Sequence, residues 1–228
     1  MDIFFISFRE SNAEENWQRL LTLHPYAKRV HGVKGIDKIH NACDSLSSSR
    51  FFWTVDGDNY LLQPLTVVDS FDSDLIMFHA LDPIHKTPTL LGGVKLWRKG
   101  SMSKTMDHGD FCLNATRSKL ISDLIYSETR YNGSEFDAWK AAFRHCVKLN
   151  TDILGSRSKN RDRYLLQWES CSRIDNGHNY ANWAYRGYTD AITYANTNGN
   201  DFDEVHKIND FDWLEIYFET LYPTFRKN

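Results

Sequence analysis

At 228 residues the chain is long enough to bury a substantial core, and 41% apolar with 25% charged residues is the composition of a globular domain, which excludes a disordered or fibrous protein. A formal net charge of −3 excludes a generally basic nucleic-acid coat, so any contact with a polyanion must come from a local patch. Cys43, Cys112, Cys146 and Cys171 stand far apart with no C-x-x-C pair, which argues against a zinc finger and for reduced, buried thiols.

Residues 3–8 read as a buried first strand, and the apolar run from Met1 meets Arg9 and Glu10 too soon for a signal peptide or a membrane span. A cytoplasmic protein without a membrane partner is expected. Ser11-Asn12-Ala13-Glu14-Glu15 supplies a helix start, with a capping residue, a Glu three places on and an acidic first turn. Trp17, Leu20 and Leu21 form its inner face, and Pro25 ends it. Residues 27–33 read as a second strand. Gly35 opens a second helix with Ile36, Ile39, Cys43 and Leu46 at helical spacing, closed by Ser47-Ser48-Ser49. Phe51-Phe52-Trp53-Thr54-Val55 follows as a third strand. This alternation predicts a parallel α/β sheet, whose ligands bind beyond the carboxyl ends of its strands.

The middle of the chain is strand-rich, with runs at 74–80 and 90–97 joined by a loop that Pro83 and Pro88 punctuate too heavily for a helix. The last third is helical. Ser134 caps a helix with Glu135 and Asp137 in its first turn, and Phe136, Trp139, Phe143 and Cys146/Val147 form its apolar stripe. Residues 180–195 and 210–222 are two further amphipathic helices, separated by a loop at 196–200. With no repeat and no linker, the expectation is one domain over 1–228.

Asp56-Gly57-Asp58 closes the third strand. Alone it reads as a turn, because Asp, Gly and Asn are the standard turn residues. At a strand end, however, residues i and i+2 point to one side, and Gly57 lets a ligand approach the backbone. A compact pair of carboxylates suits a hard divalent cation. Cations form local islands: Lys95, Arg98, Lys99 and Lys104; Arg144 and Lys148 four apart on one helix; and Arg157, Lys159, Arg161 and Arg163. Such runs are usually solvated faces, but on an acidic protein they are what phosphate-backbone contact requires.

The sequence resembles the TET/JBP-associated glycosyltransferase family, a GT-A type group that includes the base-J glucosyltransferases and phage enzymes that glycosylate modified DNA bases. The residues that carry the resemblance are Phe5-Ile6-Ser7-Phe8, Asn12, Glu15-Asn16-Trp17, Arg29-Val30-His31-Gly32-Val33-Lys34-Gly35-Ile36, His40, and Phe52 through Asp58. Further on they are Gly92-Gly93-Val94-Lys95-Leu96-Trp97, Ala138-Trp139, Phe143-Arg144 and Lys148-Leu149. The resemblance implies a single GT-A-like α/β domain, with a mixed, mostly parallel sheet flanked by helices and a helical C-terminal third.

It further implies transfer of a sugar from a UDP-sugar to a hydroxylated pyrimidine in DNA, with Mn²⁺ or Mg²⁺ as cofactor, in the cytoplasm of an infected bacterium if the source is a phage. A glycan, protein or small-molecule acceptor is the alternative, and a non-catalytic nucleic-acid-binding protein is a reading of another class. In this frame Asp58 binds the metal directly. Asp56 helps through ribose or water, and His178 completes the metal site or is an ordinary loop histidine. Ser7, Lys34, His40, Asp56, Gly57 and Asp58 line the donor pocket, with a packed core role open for His40. Asp137 is the expected proton acceptor, with Asp110 as runner-up, although Asp137 at a helix start also stabilises that helix. Lys95, Arg98, Arg144, Lys148, Arg157, Lys159, Arg161 and Arg163 are the expected DNA contacts. Trp97 is either a platform for a flipped base or core.

Overall fold

A computed structural model describes residues 1–66, 72–89, 93–102, 111, 116–151, 160–174 and 180–225. Strand β1 (Asp2–Ser7) lies between β2 (Lys28–His31) and β3 (Phe51–Asp56), and both pairings are parallel. Parallel neighbours need crossovers, and helices α1 (Ala13–Leu23) and α2 (Ile36–Leu46) supply them. Because a strand alternates its side chains, β1 feeds two cores. Phe5 joins Trp53, Val55 and Leu20 of α1, whereas Phe4 and Ile6 join Phe52, Trp97 and Ile39 and Cys43 of α2.

The sheet continues in the order β2-β1-β3-β7-β5-β8-β4, where β4 is Asn59–Leu61, β5 Leu75–Leu81, β7 Val94–Arg98 and β8 Lys119–Thr129. The two-residue strand β6 (Pro88–Thr89) pairs with β5. The sheet is mixed: β5–β8 is a third parallel pair, and the contacts β3–β7, β5–β7, β5–β6 and β4–β8 are antiparallel. From β1 the chain turns to β2 on one side, then passes to β3 on the other. The reversal of strand order therefore falls between β1 and β3, where open α/β sheets form their ligand crevice.

The chain divides into two compact units, Met1–Arg130 and Tyr131–Asn228. The sheet belongs to the first. The second is helical, with α3 (Glu135–Asn150), α4 (Arg161–Ser170), α5 (Ala181–Asn198), α6 (Phe202–His206) and α7 (Phe211–Leu221). Its core is aromatic: Trp139 stacks on Phe143 at 4.6 Å and meets Phe218 at 5.2 Å. Trp139 Nε1 and the Tyr222 hydroxyl both donate to Asp190 Oδ2, at 2.8 and 2.7 Å, so buried Trp139 and half-buried Tyr222 keep their polar atoms satisfied.

Several local expectations change. Asn12, not Ser11, precedes α1, and its side chain makes no cap; its amide donates instead to Arg130 O at 2.7 Å. The buried face of α1 is Ala13, Asn16 and Leu20, so a polar Asn16 sits inward where Leu21 was expected. Ile36 and Leu46 flank the buried turn of α2 but are 48% and 58% exposed. Helix α5 runs to Asn198, into the expected loop. Strands β4 and β8 and helices α4 and α6 have no counterpart in the sequence reading. Cys43, Cys146 and Cys171 are buried, as expected, while Cys112 lies outside the described residues. Among the described residues no helix is long and apolar enough to cross a membrane.

Candidate functional site

The Asp56-Gly57-Asp58 turn leaves the carboxyl end of β3, next to Ser7 at the end of β1. Long-range hydrogen bonds hold each of its residues. Asp56 N donates to Gly93 O at 2.8 Å, and Arg130 N donates to Asp58 O at 2.6 Å. Asn16 Nδ2 donates to Gly57 O at 2.8 Å, which explains why α1 turns an asparagine inward.

Asn59 fixes the side chain of Asp58. Its Oδ1 accepts from the hydroxyls of Ser127 and Thr129, at 2.7 and 3.0 Å, which directs its Nδ2 to Asp58 Oδ1 at 2.7 Å. Two glycines make these approaches possible. A Cβ on Gly57 would lie 2.6 Å from Glu10 Oε2, and one on Gly93 would lie 2.0 Å from the Asn59 amide.

Glu10 is the residue that sequence reasoning missed. Its Oε2 accepts from Phe8 N at 2.8 Å, which brings a third carboxylate beside the turn. An acid just past a strand that ends at the ligand edge was the available signal. Burial pushes the Asp56 carboxyl up to about 6, and the negative charges of Asp58 and Glu10 add to this, against the opposing pull of Lys95.

Lys95 corrects its expected role. It is 2% exposed, and its Nζ contacts Asp56 Oδ2 and Oδ1 at 2.8 and 3.0 Å, so it cannot reach a DNA backbone. Trp97 is 0% exposed and donates Nε1–H to Thr54 Oγ1 at 2.9 Å, which makes it core and not a stacking platform. His40 is also core. It is 0% exposed, packs against Phe111 at 4.8 Å and Trp97 at 5.3 Å, and uses Nδ1 on Ile36 O at 2.8 Å. Burial, with the nearby charge of Lys95, lowers its pKa to about 3, so it is neutral.

Ser7 is buried, and its Oγ contacts His31 Nδ1 at 2.9 Å and accepts from Arg29 Nε at 3.1 Å. Lys34 is exposed between Gly32 and Gly35, whose positive φ values of 76° and 112° shape the turn into α2. Both features lie at the carboxyl edge of the parallel strands, as the sequence implied.

In the helical unit, Asp137 closes a reciprocal cap. Its N donates to Ser134 Oγ at 3.1 Å, its Oδ2 accepts from the same hydroxyl at 2.9 Å, and its Oδ1 accepts from Lys140 at 2.9 Å. A carboxylate held this way is a helix cap first. Arg144 Nε donates to Ile208 O at 2.8 Å. Arg161 ties down the end of α3, with Nε on Leu149 O at 2.8 Å and Nη2 on Asn150 Oδ1 at 2.6 Å. Arg98 Nε donates to Ser73 O at 3.2 Å, Lys148 sits in the last turn of α3, and Arg163 is exposed. Asp110, Arg157, Lys159 and His178 lie outside the described residues.

Among the described residues no group of three His, Cys, Asp or Glu side chains is placed to hold a metal. The donor chemistry still fits a hard cation: Asp58 and Asp56 offer carboxylate oxygens on one turn, and Gly57 keeps the turn free of a side chain. A Mg²⁺-like ion is commonly held by one or two carboxylates together with substrate phosphates, which is the ligand count available here.

No protein-family model matches the chain, and no curated protein sequence does. Solved structures similar to it include a glycosyltransferase involved in the glycosylation of the major capsid of PBCV-1, at 16% identity and TM-score 0.32, covering 44% of this chain and 61% of that one. This chain thus spans less than two thirds of that protein. HddC from Yersinia pseudotuberculosis is similar at 13% identity and TM-score 0.32, covering 56% of this chain and 71% of that one. The mannosyltransferase PcManGT from Pyrobaculum calidifontis, in complex with GDP-Man and Mn²⁺, is similar at 10% identity and TM-score 0.42, covering 97% and 87%. The chain's own architecture is an α/β mixed sheet with a helical C-terminal region.

Proposed function

We propose that this chain is a metal-dependent glycosyltransferase of the GT-A kind that takes a sugar from a nucleoside diphosphate donor, with UDP-sugars first among the candidates. One observation carries the reading: a carboxylate turn, Asp56-Gly57-Asp58, clamped by Gly93, Asn16, Arg130 and Asn59 at the carboxyl edge of parallel strands, where the strand order reverses. A loose surface turn does not need three distant partners and a pinned neighbour.

Asp58 would hold Mn²⁺ or Mg²⁺ together with the donor diphosphate, and a bound cation there would supply positive charge to the departing diphosphate. Asp56, held by Lys95, offers a fixed acceptor for a donor hydroxyl. The exposed turn from Gly32 to Gly35, with Lys34, precedes α2 and offers backbone N–H groups and positive charge to a phosphate.

For the acceptor we read a glycan, a protein or a small molecule ahead of a base in DNA. Of the described cations assigned to DNA, Lys95 is buried on Asp56, and Arg98, Arg144 and Arg161 donate to backbone carbonyls of the chain itself. The DNA reading retains half-buried Lys148, exposed Arg163 and the basic run that contains Arg163.

The test is binding of UDP and GDP with and without Mn²⁺ by calorimetry, followed by transfer from a panel of UDP- and GDP-sugars. Saccharide acceptors and duplex DNA containing hydroxymethylated pyrimidines are offered side by side. Metal-dependent nucleotide binding with transfer to a saccharide supports the reading. Transfer to DNA alone would reinstate the DNA acceptor, and absence of any nucleotide binding would remove the enzyme altogether.

A further inference from the structure

Strands β3 and β5 are each antiparallel to β7, so they run the same way and end at the same edge of the sheet. Residues 82–87, which follow β5, therefore turn at the edge where Asp56-Gly57-Asp58 turns. Two routes of contact join these turns. Lys86 Nζ reaches Glu128 Oε1 at 2.6 Å, Glu128 Oε2 accepts from Arg130 Nε at 3.2 Å, and Arg130 N donates to Asp58 O at 2.6 Å. Ala80 of β5 also pairs with Ser127 of β8, whose hydroxyl holds the Asn59 that pins Asp58.

The turn at 82–87 is built to hold a histidine. Asp82 N donates to Thr87 O and Lys86 N to Asp82 O, both at 2.9 Å, which closes the hairpin of β5 and β6. Pro83 and Ile84 are buried. Lys86 takes a φ of 55°, a left-handed conformation that a non-glycine residue keeps only where its surroundings impose it. Asp82 is 2% exposed, and its Oδ1 accepts from Ile84 N at 2.9 Å and His85 N at 2.7 Å. Those two bonds cap the turn. The same oxygen meets His85 Nδ1 at 3.1 Å, and because a carboxylate oxygen only accepts, the ring donates Nδ1–H. That fixes the tautomer: the lone pair of the neutral ring is on Nε2. A buried carboxylate that orients an imidazole in this way is how proteins set up a general base.

We propose that His85 is the general base of the sugar transfer, with Asp82 as its positioning residue. This inference rests on the nucleotide-sugar reading above. Nε2 takes the proton of the acceptor hydroxyl as that oxygen bonds to the anomeric carbon of the donor. The bond from that carbon to the diphosphate oxygen breaks, and its electron pair leaves with the nucleoside diphosphate. The imidazolium, stabilised by Asp82, then gives the proton to solvent. Asp137 of the helical unit is left as the cap that its hydrogen bonds describe.

The experiment measures release of nucleoside diphosphate from UDP-glucose, UDP-galactose and GDP-mannose with Mn²⁺ and methyl glycosides, a readout that counts transfer to sugar and to water alike. The proteins are the parent, His85→Ala, His85→Gln and Asp82→Asn, each checked by thermal melting and by calorimetry with UDP or GDP and Mn²⁺. His85→Ala is expected to melt and to bind nucleotide as the parent does, while its kcat falls about a hundredfold or more and added imidazole restores it at least about tenfold. A purely structural histidine is not rescued by imidazole. A folded His85→Ala with kcat within about threefold of the parent, or one that imidazole does not restore, overturns the proposal. If His85→Ala does not fold, His85→Gln carries the same comparison of kcat against nucleotide affinity.

The ring gives a second readout that needs no turnover. Nitrogen-15 correlation spectra at neutral pH, with the His85 signals identified by their loss in His85→Gln, are expected to show Nδ1–H and an unprotonated Nε2. Asp82→Asn should move the ring toward the other tautomer. A parent ring protonated on Nε2 overturns the proposal, and if no donor is turned over, this measurement decides. A parent that binds neither UDP nor GDP with Mn²⁺ sinks the nucleotide-sugar reading and this inference together. Nucleotide binding and turnover that His85→Ala leaves unchanged sink this inference alone.

Discussion

The ammonium of Lys95 lies 2.8 Å from one carboxylate oxygen of Asp56 and 3.0 Å from the other, joining β7 to the end of β3 at the edge where the parallel strands stop. The two residues are 39 positions apart in sequence. Their pairing turns a run that looked like a doubly negative turn into one that carries a buried ammonium on its first carboxylate.

Asp58→Asn tests the second carboxylate of the turn. The side chain keeps its shape, so the melting temperature should stay within a few degrees of the parent. On the proposed function, Mn²⁺-dependent UDP affinity should fall by about a hundredfold or more, measured by calorimetry, because the proposed ligand to the ion is lost.

Gly93→Ala and Gly57→Ala separate a rigid neighbour from a soft one. A Cβ at Gly93 meets the Asn59 amide at 2.0 Å, and that amide is pinned by Ser127 and Thr129. Urea unfolding should show a loss of about 1–3 kcal/mol from overpacking. At Gly57 the nearest atom is the end of the Glu10 side chain, at 2.6 Å. Glu10→Ala should therefore recover part of the Gly57→Ala loss, a coupling that a double-mutant cycle measures.

His40 predicts the acid limb of stability. Its pKa is about 3 in the fold because burial, then Lys95, disfavours the charged ring, and an ordinary unfolded histidine titrates near 6.5. Between these values the unfolded chain binds more protons, so the contribution is present above about 6.5 and is lost as pH falls toward 3. The slope in that window should reach up to about 1.4 kcal/mol per pH unit, and His40→Leu should flatten it in urea titrations repeated from pH 7 to pH 4.5.

Asp137 is expected to behave as a cap. Asp137→Ala should lower unfolding free energy by about 1 kcal/mol, in line with loss of a capping side chain. Asp137→Asn should keep most of that stability and most of the turnover. A fall in kcat of about a hundredfold with an unchanged melting temperature would support Asp137 as the proton acceptor.

Much of the site was legible where the signal was local. The end of β3, the turn at Asp56-Gly57-Asp58, the two-glycine entry to α2 and the Ser134 cap all follow from strand alternation, turn chemistry and capping. Strand β8 was not legible, because its first residues are mostly exposed and its burial begins only at Tyr126, so it lacks the apolar alternation of a half-buried strand. Helix α4 was hidden in a run of cations, of which Arg161 proves to serve the end of α3.

The sequence by itself determined the alternation of strands and helices over the first 56 residues, the two apolar faces of that sheet and the placing of two carboxylates at its carboxyl edge, because these depend on neighbours within a turn or a strand. Tertiary structure alone decided what each polar side chain meets. It buried Lys95 on Asp56, sealed His40 among Trp97 and Phe111, turned Asn16 onto Gly57, and brought Glu10 beside the turn. Those contacts span 39 to 71 residues, and their energy comes from desolvation and hydrogen-bond pairing between strands that only the folded sheet makes neighbours.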